Sequence, residues 1–243
     1  MTPWGTLPAA AVVCAVSCGP GVVAPAPLKG SIVSDNEYPN VHARLRIARS
    51  GVGVPAQEDE LEIWLKGTRF RVRDGHGRRY DELVGDVTES RGLGVPARTM
   101  EDIMDRQSEV DRRDGGARRA ASQLFGDRAT DQGWVYPADG ERWTTKARRL
   151  APVAEQILAR DQAVDLPAAG QVTRLGRLAT EYRGTVPVIA DGTPTQNVVA
   201  RVIAPPFVLL AAAHDSENPE LSYLREIVFL EEGTVTDAEV IPP

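Results

Sequence analysis

The sequence is poor in the residues that build reactive centres. It has two cysteines, Cys14 and Cys18, both at the start of its 243 residues, so no disulfide framework staples the remainder. Its three histidines, His42, His76 and His214, lie far apart, and none belongs to a His-Glu-x-x-His or Cys-x-x-Cys pattern, which speaks against a zinc site. Gly51-Val52-Gly53, Gly75-His76-Gly77 and Gly92-Leu93-Gly94 each begin a phosphate-cradle motif that is completed neither by a third glycine nor by Gly-Lys-Ser/Thr; they read as turns. The hydrolase elbow Gly-x-Ser-x-Gly is missing, and the acidic stretch from Asp215 to Glu220 lacks the closing ligands of a calcium loop. Positive charge is not in excess either. A net charge of −6 argues against nucleic acid as a partner, and the arginine clusters at Arg69/Arg71/Arg73, Arg78/Arg79 and Arg148/Arg149 sit near acids and read as solvated faces.

The N-terminal apolar run, Leu7 to Val16, is uncharged and too short to span a bilayer comfortably. With the small Ser17 ahead of Cys18 it reads as a signal peptide over residues 1–17. Ala15-Val16-Ser17-Cys18 resembles a bacterial lipobox, with Ala15 where leucine is usual; cleavage would leave Cys18 to receive diacylglycerol. A buried N-terminal helix with two inert cysteines is the alternative, one that Pro8 and the following Gly-Pro tract suit poorly. Residues 18–36 have the composition of a tether, and residues 37–243 are expected to form the folded domain.

That domain is organised around the stretch from Asp59 to Asp74, whose period-2 alternation predicts a hairpin folded about Lys66-Gly67. Leu65 then faces Thr68, Ile63 faces Phe70 and Leu61 faces Val72, while Trp64, Glu62 and Glu60 face Arg69, Arg71 and Arg73. Leu61, Ile63, Leu65, Phe70 and Val72 form a greasy face that something must cover. Val41 to Ala48 alternates as a preceding strand, and Tyr80 to Val87 reads as a following one. Thr99 and Asp102 cap a short helix carrying Met100, Ile103 and Met104, and Ala117 to Phe125 reads as another. A second hairpin runs from Trp134 to Trp143 about Pro137-Ala138-Asp139-Gly140, putting Tyr136 on the face of Trp134 and Trp143 opposite Trp134. Ala151 to Arg160 predicts a helix with Pro152 in its first turn and Val153 and Ile157 in its apolar stripe. Four strands complete the chain: Gln171 to Arg183, Val198 to Ile203, Phe207 to Ala213 and Leu221 to Glu231, with Pro205-Pro206 at an edge or bend.

The hairpin Glu62 to Arg71, the Trp134 to Arg142 segment and the tail Leu224 to Gly233 with Val235, Asp237 and Pro242-Pro243 resemble the LolA/LolB/LppX-like lipoprotein carriers. The resemblance covers most of residues 37–243 in order. It implies an α+β, mainly antiparallel fold: an incomplete barrel whose concave face is covered by a few short helices around an acyl-chain cavity. The layers read from the residues agree, since strands with one greasy face and few amphipathic helices call for a curved sheet with helices on one side. The cavity would be lined by the five hairpin residues, by Trp134, Tyr136 and Trp143, and by Met100, Ile103, Met104, Val153 and Ile157. The expected function is an extracytoplasmic, lipid-anchored envelope protein that binds or carries an acyl chain without catalysis and without a cofactor. An envelope protein-interaction or sensory module on the same fold is the alternative, and a small envelope hydrolase the third, because catalytic groups converge in space rather than in sequence. Should Cys18 be the lipidated residue, Cys18→Ala moves the protein from the membrane to the soluble envelope fraction; intact Met1 on the mature chain excludes it.

Overall fold

The computed structural model describes residues 37–51, 54–78, 83, 121–138, 140–159, 166–190, 193–220 and 222–243. The segments expected as signal, lipobox and tether lie outside the described residues, as does the helix expected to carry Met100, Ile103 and Met104. Of the strand expected over residues 80–87 only Leu83 is described, and it is helical and buried.

Among the described residues, eleven strands form one open antiparallel sheet. They are β1 (Tyr38–Gly51), β2 (Val54–Gly67), β3 (Arg69–Asp74), β4 (Ala121–Asp127), β5 (Gln132–Pro137), β6 (Trp143–Lys146), β7 (Ala168–Arg174), β8 (Arg177–Ala190), β9 (Thr193–Ala204), β10 (Phe207–Asp215) and β11 (Ser222–Glu232). Between β6 and β7 run helix α1 (Ala147–Ala154) and a 3-10 turn (Glu155–Ile157); a second 3-10 turn (Asp237–Glu239) lies in the tail. Each strand neighbours the next in sequence except β6 and β7, which form the two edges, and β1 pairs with β11, giving the order β6-β5-β4-β3-β2-β1-β11-β10-β9-β8-β7. The sheet coils strongly enough that Arg174 of edge strand β7 joins Arg46 on the Glu226 carboxylate of β11. In a flat sheet these strands would be roughly 19 Å apart at about 4.8 Å per strand. This open, curved antiparallel sheet with little helix is the expected fold class.

The central hairpin has the expected face and a different register. Lys66 pairs with Arg69, Leu65 with Phe70, Ile63 with Val72 and Glu62 with Arg73, so the loop is Gly67-Thr68. Glycine stands at the first loop position with φ of +57°, a backbone that Lys66 would adopt only at a cost, and this moves the turn by one residue. Because the pairing shifts by two, Leu61, Ile63, Leu65, Phe70 and Val72 stay on one face, all buried.

Four other expectations are corrected. Residues 121–127 are strand rather than helix: Leu124 and Gly126 fall opposite Val72 and Phe70, a period-2 fit that outweighs the helix propensity of the preceding alanines. In the second hairpin Trp143 faces Val135, while Trp134 faces Thr144. Burial of Val135 sets this one-residue slip, which turns Trp143 toward the core and away from Trp134. Helix α1 begins at Ala147, so Pro152 lies inside it and the helix gives way to the 3-10 turn soon after. Asp131 draws the start forward by accepting hydrogen bonds from the N–H groups of Ala147 (3.1 Å, at its carbonyl) and Arg148 (3.1 Å, at its carboxylate). Finally, Gln171 to Arg183 is a hairpin, turned at Leu175-Gly176 with φ of +50° and +71°. Pro205-Pro206 makes the β9–β10 turn, the bend its sequence requires.

Glycine permits the tight packing of the β2–β6 half. A Cβ on Gly126 would collide with Cζ of the Phe70 ring, and one on Gly133 would stand 3.0 Å from Cδ1 of Leu150 in α1. Phe70→Ala should therefore cost about 3–5 kcal/mol and Gly126→Ala about 1–3 kcal/mol in denaturant unfolding. A neutral Gly126→Ala would mean that the ring lies elsewhere.

Candidate functional site

Residues directly opposite in a ladder share a face, so the register fixes which side chains meet. The face carrying Phe70, Val72, Leu61 and Ile63 receives α1, which packs on β2 to β6, and the Glu155–Ile157 turn, which packs on β10. Val153 and Ile157 are buried there with Leu150 in the same cluster as the five hairpin residues, and Trp143 packs against it. The structure thus brings together eight of the residues singled out from the sequence, as one closely packed region.

Trp134 and Tyr136 are not among them. They lie on the opposite face with Phe125, whose ring meets Tyr136 edge-on at 5.4 Å between centroids. Arg71 continues this layer, its guanidinium 4.5 Å from the Trp64 ring centroid and 5.5 Å from that of Phe125, and His42 stacks on Trp64 at 4.8 Å. Burial and then the neighbouring Arg73 charge depress the Arg71 pKa. Arg71 therefore makes cation–π contacts where an ion pair with Glu62 was expected; Glu62 is held by Arg73 and by His42 at 2.8 Å.

The tail after β11 crosses this layer as a strap. Asn40 fastens it with two side-chain hydrogen bonds, Oδ1 accepting from the Val235 N–H at 2.9 Å and Nδ2 donating to the Val235 carbonyl at 3.1 Å. Val235 and Val240 pack on Trp64, Lys66 pairs with Asp237 at 3.0 Å, and the Tyr136 hydroxyl donates to the Pro243 carbonyl at 3.4 Å. The Thr236 N–H and hydroxyl, each 2.8 Å from Glu239, close a capping box and hold that carboxyl below its ordinary pKa.

The helix-bearing face also carries charge, which the sequence did not signal. Arg78 is buried between Asp74 (3.0 Å) and Asp59 (3.2 Å), and Arg49 also reaches Asp59 at 3.2 Å. Across β1 from Asp59, one ladder row runs Ile47, Arg225, Ala211, Arg201, Tyr182. Both arginines of that row are buried. Local composition cannot reveal this, because Arg201 and Arg225 meet only through β10. Near α1, Glu155 accepts hydrogen bonds from the Tyr38 hydroxyl (2.8 Å) and Arg128 (2.7 Å), pinning the 3-10 turn to β1; burial and then the Glu155 charge push the Tyr38 phenol up.

No family model matches the chain, and no curated protein matches it. Solved structures are similar to it. One is MucB, at 10% identity and a TM-score of 0.43, covering 86% of this chain; the chain spans 58% of the MucB chain. Another is a LolA superfamily protein from Nitrosomonas europaea, at 7% identity and a TM-score of 0.32, covering 86% of this chain and 93% of that one. A third is a putative outer membrane lipoprotein-sorting protein domain from Vibrio parahaemolyticus, at 8% identity and a TM-score of 0.30, covering 82% and 88%.

Asn40→Ala should release the strap. Hydrogen exchange at the Val235 amide should rise by about one order of magnitude, as the loss of about 1–2 kcal/mol of hydrogen bonding requires, while exchange in β2 and β3 stays unchanged. Equal protection in the variant would show that Trp64 packing alone retains the tail.

Proposed function

We propose that the chain is an envelope lipoprotein, anchored through Cys18, that binds an acyl chain on the helix-bearing face of its sheet without chemistry. The observation that supports this reading is the division of that face. On β2 to β6 it is filled by α1 with side chains interlocked over Gly126 and Gly133. Toward β8 to β11 it continues through Ile203, Val208 and Ala211, packed with Ala159 and Tyr182, while Leu166 lies over Gly184, its Cδ2 2.7 Å from where a Cβ would stand. An apolar sheet face bordered by a short helix suits a ligand that needs burial and no reacting group. Lipid anchoring would hold the site at the membrane from which an acyl chain comes.

The outer layer favours a second reading, a protein-interaction module. Its strap crosses Trp64, Arg71 and Tyr136, and aromatic and arginine side chains are the groups that dominate protein interfaces.

Titration with laurate separates the two. Under the binding reading it gives a saturable fluorescence change and a negative heat-capacity change on binding. The absence of both the optical and the calorimetric response would leave the interaction module as the reading.

A further inference from the structure

We propose that the aromatic layer around Trp64 is a docking surface for an extended acidic segment of a partner protein, and that residues 234–243 occupy it as a built-in stand-in. This rests on the interaction-module reading above and names its partner class. The strap shows what the surface accepts. Asn40 takes both backbone groups of one residue, the Val235 N–H at 2.9 Å and the Val235 carbonyl at 3.1 Å. Every residue but proline carries that pair of groups, so the anchor recognises an extended chain and not a sequence. Val235 and Val240 supply the apolar contact to Trp64. Charge supplies the selectivity. From Gly233 to Pro243 the chain has two acids and no lysine or arginine. Both acids meet cations: Asp237 lies 3.0 Å from Lys66, and the Glu239 carboxyl, held low first by the Thr236 N–H and hydroxyl, is lowered further by the His42 and Arg71 charges.

The hold on the strap is local. Trp64, Val235 and Val240 form a cluster separate from the main core, so the sheet and α1 keep their own packing when the strap leaves. The Lys66–Asp237 pair has its acid 78% exposed, and pairs in water hold weakly. Gly233, with φ of +79°, turns the chain between β11 and the strap, so release there spares the β1–β11 ladder. Beneath the strap the surface is cationic as well as aromatic. The Arg71 guanidinium lies over Trp64 and Phe125, that of Arg73 lies 5.5 Å from the Trp64 ring centroid, and His42 stacks on the same ring. Glu62 belongs to this layer too, but Arg73 and His42 hold it, so Lys66 and Arg71 are the cations that answer the strap's acids. Cations laid on aromatic rings offer charge and apolar area together, which suits an acidic segment carrying aliphatic residues.

The test uses the synthetic peptide Gly-Ser-Leu-Ser-Asp-Ser-Glu-Leu-Ser-Gly, which keeps the strap's spacing of aliphatic and acidic residues, and a neutral control with Asn and Gln in place of the acids. Both are titrated by calorimetry into the full chain and into a variant whose strap is loosened by Val235→Ser with Val240→Ser. The acidic peptide should bind the loosened variant at least about tenfold tighter than the wild type, which binds only in its open fraction. The neutral peptide should bind the variant at least about threefold more weakly, and adding Lys66→Met with Arg71→Met should erase that preference. On the wild type, saturating acidic peptide should raise hydrogen exchange at the Val235 amide by about one order of magnitude and leave β2 and β3 unchanged. This arm needs no variant to fold. A loosened, folded variant that takes no peptide would make the strap a structural cover and overturn the proposal. Equal affinity for the two peptides would overturn the acidic partner, and binding that leaves Val235 protected would put the peptide elsewhere. Wild type that dimerises with concentration and excludes the peptide would assign the surface to a second copy's strap. Failure on any of these counts removes this surface alone, because the choice between acyl binding and an interaction module is read separately from laurate.

Discussion

The β1–β11 ladder is the interaction on which the rest of the structure depends. β1 to β6 make one antiparallel meander and β7 to β11 another, and the sheet becomes continuous only where Val41 to Ser50 pairs with Ser222 to Glu232. These partners are separated by most of the chain. Closing so long a loop carries an entropic cost that grows only slowly with length, and a long ladder repays it residue by residue. The buried row Ala43, Leu45 and Ile47 sets its register, since a slip by one residue would turn all three outward. A bulge in β11 between Ile227 and Phe229 then adds local twist where the two meanders join.

Once that join is made, the two halves are free to differ. In the first, glycine opposite large side chains lets helix and sheet approach closely. Phe70 occupies the space a side chain at residue 126 would take, and Leu150 of α1 rests against Gly133. Such a region tolerates little and holds little besides its own side chains. The second half presents the buried arginine row instead.

How much of this was legible depended on the range of the interaction that decides each feature. Period-2 alternation put Leu61, Ile63, Leu65, Phe70 and Val72 on one face, because a two-residue shift of the turn leaves parity intact. The same reasoning misplaced Trp143, where a one-residue slip reverses it and only burial of Val135 fixes the pairing. Ala121 to Asp127 has alanine-rich neighbours that suggest helix, yet its two flanking strands decide its state. Asp131 starts α1 from a different turn, and Asn40 holds a tail residue 195 positions away; neither leaves a local trace. The arginines fared worst. Clusters adjacent in sequence drew notice, while the pair that shares one buried face is adjacent only through β10.

The outer layer shows why the strap and the helix-bearing face need not act on each other. Trp64 and Ile63 are neighbours in sequence but point to opposite sides, so the strap covers Trp64 while α1 covers the other face of the same strands. Releasing Val235 from Asn40 removes polar and apolar contacts on one side only. The buried cluster behind it keeps its own partners, Phe70 over Gly126 and Leu150 over Gly133. Coupling between the faces would require the strands themselves to shift. β2 is the central point of resistance, paired with β1 along one edge and β3 along the other and anchored at its turn by Lys66–Asp237. The helix-bearing face and the strapped face can then be changed separately by mutation, because the strand between them is held on both edges.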